Sequence, residues 1–210
     1  MVYMFLADGF EEIEALTTVD ILRRCEVEVQ MLSMTGRRVV VGSHGITVKA
    51  DSLFRKNHIK EPTALIIPGG MKGALTLRTN VVLRHLIAQF FEAGCIIGTI
   101  CAGPLVLTGT HILDRQHLTC YPSIQTKLGD VIYHNDSYVV ECGNLITGAG
   151  PAASPYFALT LARRLASSDV LKTVEKDMLF DMEYKITERV KTYTPERSHY
   201  VYVPQDFQVQ

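Results

Sequence analysis

Cys101 interrupts two apolar runs in IIGTICAGPLVLTG, residues 96–109. A thiol there is either one more small buried hydrophobe, as most unpaired cysteines are, or a nucleophile. The spacing Gly98-x-x-Cys101-x-Gly103 has the logic of a nucleophile elbow, a sharp strand-to-helix turn that tolerates only small neighbours. Such a turn holds the side chain in strained backbone geometry and points it out of the sheet. A helix starting at GPLVLTG would add unpaired N–H groups and a positive dipole, both of which favour thiolate. Two further stretches supply partners. IIPGG (66–70) closes another apolar run, and Gly70 can bring a bare backbone N–H to the same crevice, although Gly69 and Gly70 also read as a plain tight turn. In DGFEEIEAL, Glu11 and Glu12 read as solvated partners of a helix dipole. Glu14, among Ile13, Ala15 and Leu16, reads as either a surface residue or a half-buried acid whose pKa desolvation raises.

These residues need a scaffold that gathers distant segments. Val2–Leu6 reads as a short apolar strand and DGFEEIEALTTVDILRR as a helix, with acids at its start and Arg23 and Arg24 at its end. VEVQMLSM, ALIIPGG and CIIGTI follow as strands. RRVVVGSHGITVKA reads as a β-hairpin insertion, and a helix spans about Asn80 to Ala93 before Gly94. HLTCY, SYVVEC and NLITG are shorter strands, and SPYFALTLARRLAS is a long helix. Unbroken apolar strands separated by amphipathic helices predict an α/β fold, a mainly parallel sheet covered on both faces. In such sheets the site lies beyond the carboxyl ends of the strands, where Cys101 and IIPGG both fall.

Composition narrows the function. With 47% apolar and 20% charged residues in 210, one filled domain is expected. A net charge of −1 gives no basic excess for nucleic acid or an anionic membrane. No apolar run is long enough for a membrane span, and the acid-containing N-terminus reads as a first strand rather than a signal peptide, so a cytoplasmic setting is expected. Five cysteines without a C-x-x-C pair suit neither a disulfide framework nor a zinc ribbon, and the seven histidines show no ligand spacing. No metal and no cofactor is expected. Cys120 either approaches the site or packs in the core; Cys25, Cys95 and Cys142 read as core or strand-edge residues. Asp20 and Arg24 lie one helical turn apart and can pair.

ADGFEEIEALTTVDILRR, ALIIPGGMKGA, IGTICAGPLVL and LITGAGPAASPYFAL, in this order, resemble the ThiJ/PfpI superfamily. Within it they are similar to the branch of the Parkinson-associated protein deglycase and its bacterial relatives, over about residues 1–175. The resemblance implies a flavodoxin-like three-layer sandwich, usually homodimeric. It implies that Cys101 is the nucleophile and Glu14 a protonated carboxylic acid beside it, with Gly70 and Ala102 giving backbone N–H groups to an oxyanion. Gly69, Tyr121 and Arg24 become pocket candidates, and His44 in the hairpin a residue facing a partner subunit. The chain departs from its relatives at three places. Ala102 replaces the histidine of the protease-like branch, which counts against a peptidase. Tyr121 stands before Pro122 where the human-type branch has histidine, and Ala149 where it has arginine, so the pocket is less basic.

The expected domain runs over 1–178. Residues 179–210 form a C-terminal extension, rich in charge and tyrosine (Tyr184, Tyr193, Tyr200, Tyr202), whose alternation in HYVYVP suits an edge strand or an arm packed on the domain or on a dimer partner. The expected function is protection from reactive dicarbonyls by glyoxalase- or deglycase-type hydrolase or lyase chemistry on a small aldehyde. The alternative is an oxidative-stress sensor or chaperone that uses a Cys101 sulfinate without turnover.

Overall fold

The computed structural model describes residues 1–180 and 190–194. The chain forms β1 (Val2–Leu6), α1 (Glu12–Arg24), β2 (Val29–Ser33), β3 (Val39–Val41), β4 (Thr47–Lys49), β5 (Ser52–Leu53), β6 (Ala64–Ile67), α2 (Met71–Arg78) and α3 (Val81–Glu92). It continues with β7 (Ile96–Ile100), β8 (His117–Leu118), β9 (Ile132–Tyr133), β10 (Val139–Cys142), β11 (Leu145–Gly148), α4 (Ser154–Leu165), α5 (Ser168–Asp177) and β12 (Val190–Tyr193). The main sheet runs β12-β10-β11-β7-β6-β1-β2-β5. All its pairings are parallel except β10 with β11. This is the mainly parallel α/β, flavodoxin-like arrangement, and β1, β6, β7 and β11 are buried throughout, as their unbroken apolar sequences require.

Sequence signals set the helix ends. Glu11 caps α1 by accepting from the Glu14 N–H, Asn80 caps α3 through the Leu83 N–H, and Gly94, with φ +84°, ends α3. Residues 39–41 and 47–49 pair as the expected hairpin. No helix among the described residues is long and apolar enough to cross a membrane.

One expectation changes. The segment after Cys101 is a five-residue 3-10 helix, Gly103–Leu107, rather than the start of an α-helix. Thr108 leaves the helical region with ψ 136°, its hydroxyl bonds back to the Leu105 carbonyl, and Gly109 turns the chain at φ +73°. At the other end, β12 lies within the extension and adds an edge strand to the sheet. Tyr193 belongs to it; Tyr184, Tyr200, Tyr202 and the HYVYVP stretch lie outside the described residues.

Candidate active site

β7 delivers Cys101 to the carboxyl end of the sheet, where the residue adopts φ +60°. That left-handed conformation costs a non-glycine residue about 1–3 kcal/mol and persists only where surroundings over-determine it. Here they do. The Cys101 N–H donates to the Gly148 carbonyl at 2.8 Å, and its carbonyl accepts from the Tyr121 N–H at 3.0 Å. The elbow geometry expected from the glycine spacing is present.

Glu14, in the first turn of α1, is completely buried. Its Oε2 accepts from the Gly69 N–H at 2.7 Å, and Oε1 is buried without a hydrogen-bond partner. Gly69 is the floor on which the two functional groups meet. A Cβ there would lie 2.5 Å from Glu14 Oε2, 2.7 Å from the Cys101 Cβ and 3.0 Å from the Ala102 nitrogen, so no other residue fits. The Ala102 and Gly70 N–H groups both point at the Cys101 sulfur. Gly70 manages this at φ +83°, held by backbone contacts to Gly9 and Glu11 that exclude a side chain.

Burial governs the electrostatics. Desolvation raises the Glu14 carboxyl to about 7, with contacts from Cys101 and the Gly69 N–H opposing it. Desolvation, then the neighbouring Glu14 charge, pushes the Cys101 thiol well above its ordinary value, while the Ala102 and Gly70 N–H groups pull it back. A single 3-10 turn supplies little dipole, so the helix-favoured thiolate expected from sequence is replaced by a different device. Two adjacent buried acids cannot both ionise cheaply. They hold one proton between them and titrate as a pair.

Other expected residues fall in different places. Tyr121 is half exposed at the rim, its ring passing over Gly150. Cys120 is fully buried and packs in the core, its thiol raised by burial to about 12. Arg24 does not reach the site. It ends α1, ten residues and roughly 15 Å along the axis from Glu14, where it pairs with Asp20 at 2.7 Å. There it lines a cleft with Glu26 and with Asp169, Val170, Thr173 and Asp177 of α5.

Glu11 and Glu12 are buried rather than solvated. Glu12 accepts from the His44 ring at 2.8 Å, the His44 N–H at 2.6 Å and the Ser43 hydroxyl at 3.1 Å, latching the β3–β4 hairpin to α1. Glu11, Glu12 and His44 bring metal-ligating atoms within 4.8 Å of one another, but their carboxylates already serve the cap and the latch. Sequence reasoning missed this role, since paired acids more than thirty residues before His44 offer no local mark.

The model of the DJ-1/PfpI family matches residues 1–164. This chain belongs to that family. Protein dj-1beta of Drosophila melanogaster is 30% identical over 177 residues, covering 84% of this chain and 95% of the relative. The glutathione-independent glyoxalase DJ-1 of Schizosaccharomyces pombe is 31% identical over 186 residues, covering 84% and 97%. The crystal structure of Drosophila DJ-1beta superposes with a TM-score of 0.80 at 30% identity, covering 85% of this chain and 96% of that one. The DJ-1/PfpI match thus takes in Glu14, Gly70, Cys101 and Ala102 and stops before α5 and β12.

Proposed function

We propose that this DJ-1/PfpI protein converts small reactive dicarbonyls to hydroxy acids without glutathione, through a covalent Cys101 adduct. The observation that carries the reading is Cys101 at φ +60°, set between a buried Glu14 carboxyl and two backbone N–H groups. The sulfur adds to the aldehyde carbon of an α-oxoaldehyde such as methylglyoxal, and the proton shared with Glu14 passes to the aldehyde oxygen, giving a hemithioacetal. In this reading the Gly70 and Ala102 N–H groups, which approach the sulfur, donate to that oxygen as its charge develops, each worth about 3 kcal/mol if preorganised.

Glu14, then ionised, removes the proton from the sulfur-bearing carbon and returns it to the adjacent carbonyl carbon, while the hemithioacetal hydroxyl proton moves to that carbonyl's oxygen, yielding a 2-hydroxy thioester. A carboxyl held near 7 suits both directions of transfer at neutral pH. Water cleaves the thioester to the hydroxy acid and restores the thiol. The S. pombe relative is named a glutathione-independent glyoxalase, which supports this chemistry. The reading includes a homodimer, open to a sedimentation measurement.

A redox-sensing role draws support from one feature: no histidine hydrogen-bonds to Cys101 or Glu14 among the described residues. Sensing needs no general base, and a protonated Glu14 would bond to a Cys101 sulfinate. The deciding experiment incubates purified full-length protein with methylglyoxal and no glutathione. Lactate formation by the wild type and none by Cys101→Ser supports turnover. No lactate from a wild type whose Cys101 oxidises first under limiting peroxide supports sensing instead.

A further inference from the structure

Away from the Cys101 crevice, three aromatic rings join the extension to the separate two-stranded β8–β9 sheet. His117 on β8 and His134, just after β9, are linked by a 2.8 Å hydrogen bond between Nδ1 and Nε2. Their rings are nearly parallel, at 19°. Tyr193 of β12 stacks on both, with centroids 4.1 Å from His117 and 4.4 Å from His134, and its hydroxyl lies 3.1 Å from His134 Nδ1. Beside them Lys191 of β12 pairs with Asp136. β12 has only four residues and one sheet neighbour, β10, so its ladder alone is a weak hold.

We infer that the His117–His134 pair under Tyr193 is a proton-operated clasp, which keeps β12 on the sheet at neutral pH and releases it on acidification, baring the edge of β10. The hydrogen bond needs one ring nitrogen as donor and the other as acceptor. A first proton leaves that match intact. A second sets two N–H groups and two positive charges face to face at hydrogen-bond distance, and the surface that Tyr193 stacks on comes apart.

The surroundings sharpen this response. Burial, His117 and Lys191 all lower the His134 pKa, against Asp136, which raises it. The docked state therefore binds fewer protons than the released one. Docking strength is complete above the free-histidine value of about 6.5 and falls as pH drops below it. The other groups facing the pair keep their charge over this range. Lys191 is raised and Asp136 lowered by their mutual pairing, and burial raises the Cys142 thiol of β10, which meets the His117 backbone N–H.

Hydrogen exchange of the full chain tests the clasp, read at the 190–193 amides and corrected for intrinsic rates at pH 7.5 and 5.0. Wild-type protection should fall at least tenfold at pH 5.0 while β1 and β7 hold theirs. His134→Phe keeps an aromatic platform without the titrating nitrogen, so its protection should not change with pH. Tyr193→Ala, which leaves the domain core untouched, should be unprotected at both pH values. The clasp is overturned by wild-type protection that is flat with pH, by a tenfold fall persisting in His134→Phe, or by Tyr193→Ala retaining the neutral wild-type level. Should His134→Phe not fold, His117→Phe answers the same question.

Discussion

Glu12 and Glu14 sit two residues apart in the first turn of α1, both buried, and their carboxyls have moved in opposite directions. Burial alone would raise both. Glu12 faces the hairpin, where hydrogen bonds from the His44 ring and N–H and from the Ser43 hydroxyl outweigh desolvation and hold it at about 2. Glu14 faces the Cys101 crevice, where one N–H and a thiol cannot offset burial, and it rises to about 7. The difference lies in the donors each side offers and in how deeply each carboxyl is set, not in helix position. One carboxylate is kept charged and holds the hairpin to the helix; its neighbour is kept near its titration point, as the proposed proton transfer requires.

Substitution separates the two most sharply. Glu14→Gln retains a hydrogen-bonding side chain and removes the proton shuttle, so dicarbonyl turnover should fall by about 10²–10⁴-fold while peroxide still modifies Cys101. Glu12→Gln should leave turnover within a few-fold of wild type. Equal losses in both variants would mean that the two acids act as a unit rather than in separate roles.

Stability should show the reverse order. Glu12→Ala strips the hairpin of its anchor, and water reaches some of the freed donors, so denaturant unfolding should register a loss of about 1–2 kcal/mol. The pH dependence carries opposite signs. A carboxyl depressed to about 2 contributes stability that is present above about 4.5 and lost as pH falls through 2. A carboxyl raised to about 7 contributes stability that is full below about 4.5 and lost as pH rises through 7. Glu12→Gln should flatten the acid limb of the stability profile and Glu14→Gln the limb between 4.5 and 7. The smallest effect is expected at the far end of the same helix. Arg24→Ala should change neither turnover nor melting temperature measurably, since its ion pair with Asp20 is exposed and remote.

Much of this molecule could be read from its residues. Apolar runs marked the central strands, and Asn80 and Gly94 marked the ends of α3 within a residue or two. Cys101 was legible because an elbow needs glycine at fixed offsets, whereas the residues around Glu14 left a surface and a half-buried reading open and the family resemblance alone singled it out. What stayed hidden depends on partners distant in sequence. Glu12 meets a hairpin more than thirty residues on, and Tyr193 meets two histidines from a different sheet. α2 and α5 were missed as elements. The missing α-helix after Cys101 was an error of length, since GPLVL suits a helix start and only Thr108 and Gly109 show that it stops.

The backbone pins on Cys101 also bear on how the protein is made. Its N–H waits for the Gly148 carbonyl on β11, and its carbonyl for the Tyr121 N–H. Ribosomes deliver the chain from the N-terminus at about 5–20 residues per second, so Glu14, Gly70 and Cys101 all emerge before the strand that fixes the elbow. Until β11 docks beside β7, Cys101 is an ordinary thiol on an unfinished sheet. The elbow is therefore assembled late, from a segment nearly fifty residues downstream, and a nascent or truncated chain lacking β11 carries Cys101 without the bond that holds its backbone.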